Sequence, residues 1–283
     1  MWGGQIWHKL VVPYLLYQLI YLPLCLIHFR NQLFSLNLWY KILIGLIAGD
    51  AYYTPISIVI CLPCWFIISI IQLRLLFMII PINKFTSIVL SILSVSLLVM
   101  LKKLNIDLYF CLDSTIMAIP YFLVGYYLGR TNLLERVHNK GLQIAIMIVA
   151  SIAVYGILMI NGASQMNGPT YGNSLILNYM AGFSDCLMIF MMSMVIAYYL
   201  QAKGGVKKIS RYTLFLIFSH WLLLYPICLV LKMLYTSLVA VNPIEVLIIA
   251  IFTTIAILWV SSKMIDYGSD RIPALFGKQK NKK

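Results

Sequence analysis

Residues 141–160 read GLQIAIMIVASIAVYGILMI, a run without a single charged side chain. A helix that crosses the hydrocarbon core of a bilayer needs about 20 such residues, so the stretch reads as a membrane span. The runs on either side have the same character. Segments 10–29, 62–80, 86–101, 113–129, 174–200, 211–234 and 243–264 complete an all-α, polytopic transmembrane bundle of about eight spans. Segment 38–48 is short and interrupted by Lys41, which suits an interfacial helix better than a span. Pro81 and Asn83 mark one joint and Gly204-Gly205 another. Asn242-Pro243 with Glu245 resembles a capped helix start.

Composition excludes the other classes. Hydrophobic residues are 62% of the 283 and charged residues 10%, with a mean hydropathy of +0.93. That little polar surface cannot cover a soluble core of this size, and a chain this apolar is not disordered. One membrane domain spanning 1–283 is expected. The formal net charge of +13 is spread over loops between apolar runs, so it points to membrane orientation and not to nucleic acid. With the N-terminus inside, fifteen Lys and Arg fall on the cytoplasmic side, five outside, and Arg74 within a span. Both termini are therefore expected in the cytoplasm. Residues 1–9 read as the start of an uncleaved first span. Of six cysteines, Cys61 and Cys64 form a C-x-x-C pair, but no second pair or nearby His accompanies them. They read as small apolar residues, and no metal site is expected.

Ionisable side chains at mid-bilayer depth are costly and so mark function. Three stand out: Arg74 in the second span, Asp185 in the sixth and His220 in the seventh. A cation, an acid and a base within one bundle suit a catalytic or transport centre. Each also has a plainer reading. Arg74 can snorkel to the surface, Asp185 can pair with Arg74 or with backbone, and His220 can join helices by a hydrogen bond. Pro63 opens the second span, and Pro120 and Pro226 lie inside the fourth and seventh. Gly125 and Gly129 have small-xxx-small spacing, which reads as close helix packing.

Several of these stretches resemble the acyltransferase 3 family of membrane acyltransferases. Pro63-Cys64-Trp65-Phe66-Ile67 is similar to its Pro-x-Trp-Phe-Leu signature. Residues 118–129, from Ala118 through Pro120, Gly125 and Tyr126 to Gly129, resemble its F-hydrophobic-x-G-Y-x-x-G helix. Residues 209–220, ending in Phe218-Ser219-His220, resemble its I-G-x-x-S-L-x-I-Y-x-x-H helix. Tyr171-Gly172-Asn173 and Leu275-Phe276-Gly277-Lys278 match weaker marks.

The resemblance implies transfer of an acyl group, commonly acetyl, from a cytoplasmic donor such as acetyl-CoA. The acceptor it implies is a sugar hydroxyl of a surface or exported polysaccharide, free or lipid-linked, and the setting a bacterial inner membrane. Apart from the resemblance, the mid-membrane groups suit such a transfer, with His220 as the base, Arg74 as the cation for an acyl oxyanion and Asp185 as the acid of the centre, while Trp65 offers a face on which a sugar stacks. Imidazole suits the role because its ordinary pKa lies near neutrality. Lys203-Gly204-Gly205-Val206-Lys207-Lys208 reads as a site for CoA phosphates or as plain positive-inside bias. The family usually has ten spans, the first carrying an Arg about ten residues before the His held to be catalytic. Trp7-His8-Lys9 through Pro13-Tyr14 resembles the start of its third helix, so those first two helices have no counterpart in the sequence and His8 is no match. A transporter-like subunit of polysaccharide export and an inactive remnant are the competing readings.

Overall fold

A computed structural model describes residues 6–50, 52–131, 134–166, 170–200, 212–213, 215–224, 243–269 and 271–276. Among them every regular element is helical. The helices are α1 (Val12–His28, entered through a π turn at Trp7–Val11), α2 (Leu36–Ala48), α3 (Cys64–Ile79), α4 (Lys84–Leu104) and α5 (Leu112–Thr131). They continue with α6 (Lys140–Asn161), α7 (Leu175–Leu200), α8 (Phe215–Leu224) and α9 (Pro243–Gly268). The expected all-α class is therefore what the chain adopts.

Among the described residues, five segments are long and apolar enough to cross a membrane: Trp7–His28, Lys84–Leu104, Lys140–Asn161, Leu175–Tyr199 and Ile248–Gly268. On α6, Val149, Ile152 and Met159 are 66%, 66% and 70% exposed. An outward apolar surface of that kind is what lipid covers, and the protein is an integral membrane protein.

Local chemistry sets the helix ends. Pro81 and Asn83 separate α3 from α4. Asn83 accepts from the Thr86 amide at 2.9 Å, and Thr86 Oγ1 accepts from the Asn83 amide at 3.1 Å, a reciprocal cap. Asn139 caps α6 by accepting from the Leu142 amide at 3.1 Å. Lys203–Lys208, Arg211, Pro226, Glu245's side chain, Gly277 and Lys278 lie outside what is described.

The chain divides into two units, 1–67 with 204–283, and 68–203. In the first, α1 buries Tyr14, Tyr17, Gln18, Tyr21 and Cys25, a stripe at helical spacing. Tyr14 donates its hydroxyl to the Leu46 carbonyl at 2.8 Å, and Gln18 Nε2 donates to Tyr14 at 3.1 Å, which ties α1 to α2. Phe215 of α8 stacks on Phe276 with ring centres 4.6 Å apart, so the Leu275-Phe276 mark belongs to this core. Cys61 and Cys64 are buried thiols joined by no disulfide among the described residues.

In the second unit α4 packs on α5 and α6 on α7. Tyr179 of α7 donates to the Met117 carbonyl of α5 at 3.1 Å. Phe77 at the end of α3 stacks on Phe122 of α5 at 4.8 Å.

Candidate active site

His220 lies on α8, half-buried. Its Nδ1 is 3.0 Å from the Leu216 carbonyl one turn back. A carbonyl only accepts, so that contact is a hydrogen bond when Nδ1 carries the proton, and the neutral ring then keeps its lone pair on Nε2. This is the tautomer a general base needs. The helix carrying it is gripped from α1. Tyr21 donates its hydroxyl to the Phe218 carbonyl at 2.7 Å, and the Tyr17 ring stacks on the Phe218 ring at 3.9 Å and 16°. Ser219, the residue before His220, is 3% exposed, and its hydroxyl has no hydrogen-bond partner among the described residues. Trp65 belongs to the same unit, half-buried in the first turn of α3 with its ring edge-on to Phe66.

Arg74 and Asp185 belong to the other unit. Arg74 is exposed on α3, and Asp185 is half-buried on α7. No ion pair joins them among the described residues.

Asp185 precedes Cys186, which lines a cavity of about 350 Å³ between α5 and α7. Tyr121, Gly125, Gly129, Phe183 and Phe190 also line it. The small-xxx-small reading of Gly125 and Gly129 is corrected here. A Cβ built on either meets nothing within 4 Å among the described residues, so the glycines open space and do not seat a helix. Gly182 is the opposite case: a Cβ there would collide with the Tyr121 hydroxyl, so this glycine admits the ring. Arg130 follows Gly129 directly, and Arg136 lies two residues beyond Leu134, another wall residue. Both are exposed, and neither is among the residues that line the cavity. Nearby in sequence, Lys140 Nζ sits 3.6 Å over the Tyr198 ring.

Sequence reasoning missed Tyr17, Tyr21 and Cys186. The tyrosine spacing on α1 was a usable signal, since positions 14, 17 and 21 share one helical face.

A family model described as an acyltransferase domain, acyltransferase 3, matches residues 5–263. No curated protein and no solved structure matches the chain. The match covers the helices that carry Trp65, Arg74, Asp185 and His220, and the chain belongs to the acyltransferase 3 family of membrane acyltransferases.

Proposed function

We propose that this membrane acyltransferase moves an acyl group, acetyl in the simplest case, from a CoA thioester to a sugar hydroxyl of an exported or surface polysaccharide. It works in a bacterial inner membrane as a bundle of about eight spans with both termini cytoplasmic. The observation that carries the reading is the His220 geometry: Nδ1 lies 3.0 Å from the Leu216 carbonyl, and the tautomer that bonds it leaves Nε2 as acceptor. A sugar hydroxyl is too weak an acid to attack unaided. Nε2 takes its proton as the oxygen adds to the thioester carbonyl. The C–S bond then breaks, and the CoA thiolate leaves and is protonated.

Trp65, in the same unit as His220, supplies an aromatic face for the sugar. The cavity between α5 and α7 suits the donor. Its apolar wall takes the acyl arm, and the exposed Arg130 and Arg136, which follow the wall residues Gly129 and Leu134 in sequence, take CoA phosphates. Polysaccharide O-acetylation compared between cells carrying the unaltered chain, His220→Ala and Trp65→Ala tests this. The reading expects loss with His220→Ala and weakened transfer with Trp65→Ala. Unchanged acetylation in the His220 variant overturns it.

A further inference from the structure

At the end of α5 opposite Gly129 lies a second cavity, of about 280 Å³. Lys102, Asn105, Asp107, Asp113 and Tyr171 line it. At about 1.5 Å rise per residue, Asp113 and Gly129 stand roughly 24 Å apart along the helix.

The turn that delivers Tyr171 is fixed in detail. Asn161, 2% exposed, donates from Nδ2 to the Tyr171 carbonyl at 3.1 Å and accepts from the Ser174 amide at 2.6 Å. The Asn173 amide donates to the Asn161 carbonyl at 2.9 Å. Lys102 Nζ donates to the Gly172 carbonyl at 2.8 Å. Gly172 has φ +69°, and a Cβ there would collide with Asn161. So Tyr171-Gly172-Asn173, a motif without a role so far, is a preformed holder for one phenol. That phenol is buried against Leu98, Met117 and Leu175.

The chemistry of the wall is mixed. Asp107 and the buried Asp113 accept hydrogen bonds, Lys102 donates, and the Asn105 amide and the Tyr171 hydroxyl do both. Two carboxylates against one ammonium repel phosphate and carboxylate ligands. Adjacent hydroxyls, each both donor and acceptor, match such a wall. The volume lies just under the roughly 300–1,000 Å³ of drug-sized sites, which suits one ring and not a chain. We propose that this pocket holds one sugar ring of the acceptor, with Asp113 and Tyr171 gripping its hydroxyls. The proposal rests on the reading of the acceptor as a sugar.

Binding is measurable without turnover. The full chain in lipid nanodiscs is titrated with methyl α-glucoside, methyl α-mannoside and N-acetylglucosamine by saturation-transfer NMR, and separately with calcium. At least one glycoside is expected to bind. Asp113→Asn and Tyr171→Phe are each expected to weaken it about tenfold, the loss of one hydrogen bond to a buried partner. Tyr171→Phe keeps the packed ring, so it separates binding from folding, and exposed Asp107→Asn gives a third, milder reading. No glycoside binding, binding untouched by all three pocket variants, or binding of calcium alone overturns the proposal. The two ideas fail separately. Binding at this pocket with no acyl transfer by the unaltered chain overturns the transferase reading only, and sugar transfer indifferent to the pocket variants overturns the pocket only.

Discussion

Tyr21 of α1 donates its hydroxyl to the backbone carbonyl of Phe218 at 2.7 Å, two residues before His220. The base is thus held through its main chain by a phenol that never touches it. Tyr21→Phe removes that bond and keeps the ring. A lost buried hydrogen bond costs about 1 kcal/mol, so the melting temperature of the purified protein should drop by a few degrees. Transfer should drop with it, through kcat more than KM, because the base is misplaced and the donor site is not.

The glycines predict opposite signs. Gly182→Ala drives a methyl into the Tyr121 hydroxyl and should destabilise the α5–α7 contact. Gly125→Ala and Gly129→Ala meet open space, so each should stabilise its helix by up to about 1 kcal/mol. The same two changes narrow the cavity. Gly125→Leu should shorten the longest acyl chain the protein accepts from CoA donors, read as relative kcat/KM for acetyl, butyryl and hexanoyl thioesters. An unchanged chain-length profile removes the acyl arm from this cavity.

The phenol of Tyr171 is pushed well above the ordinary tyrosine range, by burial first and then by the Asp113 and Asp107 carboxylates. It therefore stays an O–H donor at pH 10. Its folded pKa exceeds the unfolded value, so its contribution to stability is full below about pH 10 and is lost as pH rises beyond it. Absorbance titration should show the same phenolate rise up to pH 10 for the unaltered chain and Tyr171→Phe. Above that, the unaltered chain should lose stability more steeply.

Reporter fusions test orientation. A reporter at Lys283 should behave as cytoplasmic and one at Ser164 as external, following the Lys and Arg bias. An external Lys283 contradicts the arrangement.

Much of the fold was readable because apolar length is a strong signal. Runs such as 141–160 mark helices whatever their neighbours do, and Pro81 with Asn83 marks a joint through backbone chemistry alone. Partnership was not readable. The spacing of Gly125 and Gly129 places them on one face but says nothing of what covers that face, and among the described residues nothing does. Asp113 reads as the edge of an apolar run, yet it is 4% exposed and lines a pocket. Its neighbours there come from α4 and from the turn at Tyr171, far along the chain. The grip of Tyr21 on Phe218 likewise joins residues from opposite ends of the sequence.

Label transfer from acetyl-CoA carrying radiolabel in its acetyl group, with purified chain in proteoliposomes and an oligosaccharide acceptor, bears most directly on the central claim. The account predicts labelled sugar ester and free CoA thiol in equal amounts, with a loss of about 10²–10⁴-fold in rate for His220→Ala. Labelled ester formed at the unaltered rate by His220→Ala would contradict it.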